Sequence, residues 1–248
     1  MRKSFILMKR HLFCAVAAAI LFAILPLEAQ IRGFRQEQLK EWEFSKDGSN
    51  WETVAVPHSY NAEDGHSPYY YRGKATYRCD LRINDLKKTH YIFFEGAAQA
   101  AVVKVNGEQV ASHKGGYTPF SVNITEALRK GVNRIEVICD NSEDVDMIPV
   151  SSDFNKNGGL HNPVWLLVME DVYFSPEDYG IYRLRCETPE VTKKKVVTNV
   201  KARLVNPSNR DANILVRVQL LEANGALGYQ ADREVPVRAF SEYDFDHE

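Results

Sequence analysis

The dipeptide Asn106-Gly107 sits between two short runs of alternating apolar and polar residues, and it constrains the fold more tightly than any other feature of the chain. A two-residue type I′ turn needs positive φ at both central residues, which Asn and Gly tolerate. Ala101–Val105 and Glu108–Ser112 are therefore expected to form a β-hairpin. The same grammar recurs along the chain. Glu52–Val56, Lys74–Leu81, Thr89–Phe94, Val110–His113, Phe120–Ile124, Asn133–Cys139 and Val164–Phe174 are short runs rich in Val, Tyr, Phe and Thr. Gly, Asn, Asp or Pro separate them. The one helical signal is Thr125-Glu126-Ala127-Leu128, with Thr125 as N-cap and Gly131 as terminator, enough for a turn or two. Strand-sized runs with turn signals every 8–12 residues or so predict an all-β sandwich or barrel.

A break falls at Ser175–Tyr179, where Pro176, Glu177 and Asp178 interrupt the apolar pattern. Beyond it the alternation resumes, in Val200, Ala202 and Leu204 and then in Ile214, Val216, Val218 and Leu220. This segment, 178–248, is shorter than the roughly 100 residues of a complete immunoglobulin-like sandwich. It is expected to be an incomplete one.

Residues 1–29 read as a secretory signal. Arg2, Lys3, Lys9 and Arg10 precede an uncharged apolar run from Leu12 to Leu25, and Leu27-Glu28-Ala29 offers a cleavage site. The run is 14 residues long, short of the ~20 that span a bilayer. The expected location is secreted or periplasmic, with no membrane span after cleavage. The mature chain would carry 27 basic and 32 acidic residues, a net charge of −5. That balance argues against a nucleic-acid partner held by charge. Three cysteines would remain, Cys79, Cys139 and Cys186. Buried free thiols fit an odd number best, and a Cys79–Cys139 bridge stays open on spacing alone.

Familiar catalytic signatures are missing. The chain has no GxSxG, HExxH, GxxxxGK[ST] or GxGxxG. Its seven histidines never stand two or four residues apart, so no local metal chelate is indicated. No metal and no cofactor are expected. A (β/α)₈ barrel alone needs about 250 residues, which leaves no room for one beside the β segments.

Three stretches are too unusual for generic loops. One runs from Val56-Pro57-His58-Ser59-Tyr60-Asn61 to Tyr69-Tyr70-Tyr71-Arg72-Gly73. The next holds Phe94-Glu95-Gly96, Val105-Asn106-Gly107 and Gly115-Gly116-Tyr117-Thr118-Pro119-Phe120. The last is Asp153-Phe154-Asn155-Lys156-Asn157-Gly158-Gly159-Leu160-His161-Asn162-Pro163-Val164-Trp165. With Trp42, Trp51, Gly131, Asn133, Asp140 and Asn141, this ordered set resembles the N-terminal sugar-binding domain of glycoside hydrolase family 2, the β-galactosidase, β-glucuronidase and β-mannosidase group. The resemblance covers roughly 36–172 and implies a jelly-roll, galactose-binding-like β-sandwich. Residues 178–248 are similar to the start of the immunoglobulin-like domain that follows it in that family. The chain departs from the family at Leu160-His161-Asn162-Pro163-Val164, where an Arg-Asp pair is replaced.

The resemblance implies the N-terminal sugar-binding region of an exported β-glycosidase, β-galactosidase-like, acting on a β-glycoside. In the family the chemistry belongs to two glutamates on a TIM barrel, the acid/base Glu following an Asn. This chain contains no Asn-Glu dipeptide. No residue can be assigned to a catalytic pair of carboxyls about 5–5.5 Å apart, and the chain alone is expected to be inactive. Asp153 is implied as the residue touching a sugar hydroxyl or an ion, with Asn61 and His161 as further substrate-binding candidates. Tyr69, Tyr70 and Tyr71 could stack on a sugar, although strand alternation requires at least one in the core. Two other readings remain open: a stand-alone carbohydrate-binding module, and an interaction domain that docks onto a separate catalytic barrel polypeptide.

Overall fold

The structure, a computed structural model, describes residues 34–66, 70–147, 156–177 and 184–248. The expected leader over 1–29 lies outside them, as do Tyr69 and Asp153. The described chain divides into two compact units. One comprises Phe34–Glu170 with Pro176 and Glu177, the other Asp171–Ser175 with residues 184–248.

The first unit is an antiparallel sandwich, in keeping with the jelly-roll expectation. Its strands are β1 (Phe34–Gln38), β2 (Glu41–Ser45), β3 (Glu52–Ala55), β4 (Lys74–Ile83), β5 (His90–Phe94), β6 (Ala100–Val105), β7 (Glu108–Lys114), β8 (Phe120–Asn123), β9 (Gly131–Asp140) and β10 (Val164–Met169). One sheet has the order β3-β2-β4-β9-β6-β7 and the other β1-β10-β5-β8. The alternating residues of β9 set the inner face, with Ile135, Val137 and Cys139 all fully buried. Val103 and Val105 from β6, Ile92 and Phe94 from β5, and Val164 and Leu166 from β10 meet them in one core with Trp42, Phe44 and Tyr77. Each fully buried aliphatic side chain of this kind stabilises the fold by about 1.5–3 kcal/mol before entropy is counted.

The turn chemistry follows the sequence. Asn106 and Gly107 take φ of 55° and 90°, as a type I′ hairpin requires. The helical signal behaves differently. A 3-10 turn spans Thr125–Ala127, and its N-cap is Ile124, with no side-chain cap. Thr125 lies inside the turn, and its hydroxyl donates to Asn123 Oδ1 at 2.7 Å. The run Val164–Phe174, expected as one strand, is two: β10 ends at Met169, and β11 (Tyr173–Phe174) belongs to the second unit.

The Cys79–Cys139 bridge is ruled out by register. Cys79 faces Ile135 across the β4–β9 ladder, and Cys139 faces Ala75. That offset of four residues separates the two thiols by about 13 Å along the strands, far beyond disulfide reach. All three cysteines are free, but not all are buried as expected: Cys139 is buried, Cys79 half-buried and Cys186 exposed.

In the second unit β12 (Leu184–Val191), β13 (Val196–Asn206) and β16 (Ser241–His247) form a sheet with β11. A separate hairpin joins β14 (Ala212–Leu221) to β15 (Leu227–Val237). Val200, Ala202 and Leu204 pack with Ile214, Val216, Val218, Val235, Val237 and Phe245, the alternation expected from the sequence. Asn206 closes the loop after β13, donating to the carbonyls of Arg210 and Val237 at 2.8 and 3.1 Å. No helix among the described residues is long and apolar enough to cross a membrane.

Candidate functional site

Three loops of the sandwich converge at one end of the sheets. His58 N donates to the Leu160 carbonyl at 2.7 Å and Tyr60 N to the Gly158 carbonyl at 3.1 Å, so residues 58–60 run beside 158–160. Ala98 N and the Gly159 carbonyl pair at 3.0 Å on the other side. Residues 158–160 thus thread between the loop that follows β3 and the loop that precedes β6. Glycine is needed here for space. A Cβ on Gly158 would fall inside the Tyr60 ring, and one on Gly159, whose φ is +108°, would fall on the Tyr77 hydroxyl.

Asn61 sits where these loops cross and is only 1% exposed. Its Nδ2 donates to the Lys156 carbonyl at 2.7 Å, and its Oδ1 accepts from Gly158 N at 2.9 Å and from the Ser59 hydroxyl at 3.0 Å. Asn141, fully buried, donates from Nδ2 to the same Lys156 carbonyl and to that of Tyr71, both at 3.1 Å, and accepts from Gly73 N at 2.9 Å. The two side-chain amides hold the start of the 156–161 segment from both sides. Asn61 and His161 are therefore brought onto one short stretch of backbone, which begins three residues after Asp153. Asp153 itself lies outside the described residues.

His161 is partly buried. Its Nδ1 lies 3.3 Å from the Gly159 carbonyl, its Nε2 is buried without a partner among the described residues, and burial holds its pKa below the usual histidine value. Its ring meets Tyr117 edge to face, with centroids 5.4 Å apart, and Tyr117 is 58% exposed. His58 is likewise kept below its usual pKa by burial. Its Nδ1 stands 2.8 Å from the Tyr77 hydroxyl. Of the tyrosine run, Tyr71 packs against the core, with its hydroxyl donating to the Lys74 carbonyl at 2.9 Å.

Some residues that shape this end carried no functional assignment in the sequence reading. Trp165 Nε1 donates to Glu95 Oε1 at 2.7 Å. Val164, Leu166 and Val168 face the core, but Leu167 and Met169 are buried as well, so the all-apolar run Val164–Met169 carried no alternation that placed Trp165 on the outer face. Asn141 and Lys156 stood in the ordered motif set without a role; that Asn141 and Asn61 share the Lys156 carbonyl is a tertiary contact that sequence spacing did not signal. Among the described residues no group of three His, Cys, Asp or Glu side chains could hold a metal ion.

This architecture has known counterparts. A family model described as glycosyl hydrolase 2 galactose-binding domain-like matches residues 42–196. A putative β-glucuronidase of Formosa agariphila is 31% identical over 197 residues, covering 77% of this chain and 23% of that protein. A β-galactosidase of Thermoanaerobacter pseudethanolicus is 34% identical over 161 residues, covering 61% and 21%. The chain thus spans about a quarter of the length of the curated relatives it matches. Among solved structures, a Bacteroides uniformis β-glucuronidase superposes with a TM-score of 0.78 at 26% identity, over 86% of this chain and 27% of its own. A putative β-galactosidase from Bacteroides fragilis gives 0.78 at 28%, over 86% and 35%. The match over 42–196, set on a sandwich of this topology, means that the chain belongs to the glycosyl hydrolase 2 family, through its galactose-binding domain-like region.

Proposed function

We propose that this chain is the N-terminal sugar-recognition region of an exported β-glycosidase. Recognition rests on the loop end of the sandwich. Asp153 contacts a sugar hydroxyl, His161 lines the same end, and Asn61 positions the segment that carries both. The observation that carries this reading is the pairing of a family match over 42–196 with relatives and structural neighbours that are β-glucuronidases and β-galactosidases. The second unit serves as an immunoglobulin-like spacer. Bond cleavage belongs to a carboxylate pair that none of these 248 residues supplies.

A chimera tests the reading. The region of the Bacteroides uniformis β-glucuronidase that superposes on this chain is replaced by residues 34–248, and chromogenic β-glucuronide and β-galactoside hydrolysis is measured. The expected result is turnover of at least one substrate, with Asp153→Ala raising KM about tenfold or more, the scale of one lost charge-assisted hydrogen bond. A folded chimera with Asp153→Ala kinetics identical to the parent would overturn the assignment.

A further inference from the structure

The outer face of the β1-β10-β5-β8 sheet is not an ordinary solvated surface. Trp165 on β10 stands directly opposite Gln38 on β1 and Phe93 on β5, so the three side chains share this face. Glu95 follows β5 and is exposed, and one of its carboxylate oxygens fixes the indole through Nε1 at 2.7 Å. Among the described residues its other oxygen has no partner. Asn162 lies alongside, its Nδ2 3.4 Å from the Glu95 carbonyl oxygen. Gly96 makes this approach possible, since a Cβ there would stand 2.6 Å from Asn162 Nδ2 and 3.0 Å from the Gly116 carbonyl. Tyr117, next to Gly116 in sequence, is the one exposed aromatic side chain among the described residues of the sandwich, and its ring meets that of His161, the residue before Asn162.

We propose that Trp165, Tyr117 and Glu95, with Asn162 and Gln38 beside them, form a second glycan-binding surface, which takes a hexopyranose unit of a β-linked polysaccharide. A pyranose ring offers an apolar C–H face to an aromatic ring and hydroxyls to groups with unused valences. This patch supplies both. The indole is held in one orientation by Glu95, which lowers the ordering cost of binding. The open carboxylate oxygen accepts a hydroxyl proton, and the Asn162 and Gln38 amides both donate and accept. The other large apolar side chains exposed on the described sandwich are Leu86, Val132 and Val145. Leu86 and Val132 lie by the turn where Ile83 pairs with Gly131, at the far end of β4 from Gly73. Further along the same face Leu167, Tyr91 and Met169 are buried, so its exposed part is confined to the end that carries Trp165.

Affinity electrophoresis of the whole chain tests this, in native gels cast with soluble β-galactan, glucomannan or mixed-linkage β-glucan. The expected result is retardation by at least one polysaccharide, weakened fivefold or more in Trp165→Ala, Tyr117→Ala and Glu95→Gln, and unchanged in Leu86→Ala, an exposed position away from this face. Tyr117 and Glu95 are exposed, so those two variants keep the test valid if Trp165→Ala fails to fold. No retardation in any gel overturns the proposal. Retardation lost in Asp153→Ala but kept in Tyr117→Ala and Glu95→Gln also overturns it, while supporting the function proposed above. A concentration-dependent dimer that Tyr117→Ala dissolves would make the face a self-interface and refute the glycan assignment.

Discussion

The crossing around Asn61 and the face around Trp165 use the same kinds of side chain to opposite ends. Around Asn61, buried amides spend their donors and acceptors on the chain's own backbone, at Lys156, Gly158, Tyr71 and Gly73. Around Trp165, a carboxylate uses one oxygen to hold a ring and keeps the other in solvent. Residue type does not separate a site from a scaffold. Whether each polar atom already has a partner does, because a buried polar group must be satisfied internally and an exposed one need not be.

The contrast can be broken at its strongest point by filling the space between the loops. Gly159→Ala places a Cβ on the Tyr77 hydroxyl at a φ of +108°. We expect about 4 kcal/mol of destabilisation in urea unfolding. Asn61→Ala comes next. It strands Gly158 N and takes one donor from the Lys156 carbonyl, and should cost about 3 kcal/mol. A loss below about 1 kcal/mol would mean that the crossing is not the scaffold described here.

Acid sharpens the contrast. His58, His90 and His161 all have pKa values lowered by burial. The unfolded chain therefore binds protons on these residues at a higher pH than the folded one. Linkage makes stability constant on their account above the unfolded value of about 6.5 and lower as pH falls below it. Midpoints of thermal unfolding should drop between pH 7.5 and 5.5, and His58→Gln should reduce the drop. A midpoint that rises on acidification would reverse the sign. Smallest of all, Tyr117→Ala and Glu95→Gln should change stability by no more than about 0.5 kcal/mol, because these side chains are exposed.

Much of the fold was legible because it rests on local rules. Asn106-Gly107 encoded its hairpin through backbone sterics, and Ile135, Val137 and Cys139 showed the core face by alternation alone. The end of β10 was not legible. Met169 and Tyr173 are both apolar and both buried, yet they belong to different units. Apolar pattern records burial and not the sheet that provides it. The candidate site was legible only as a neighbourhood. Asn61 and His161 do meet one loop, but the partners that decide what Asn61 does, Lys156 and Gly158, stand 95 and 97 residues away. Asn133 teaches the same lesson. Its motif position was plain and its bonds to Arg129 and Gly131 are local, but its bond to Asn106 spans 27 residues and depends on the tertiary fold.

The central claim is recognition without cleavage, and one assay bears on it most directly. The purified chain is incubated with chromogenic β-glucuronide, β-galactoside and β-mannoside while free monosaccharides are titrated calorimetrically. The account predicts no turnover and weak monosaccharide binding. A single hydrogen-bonding contact worth about 1–3 kcal/mol does not outweigh an association cost of roughly 4 kcal/mol or more. Turnover that survives Asp153→Ala, or tight binding of one monosaccharide, would contradict it.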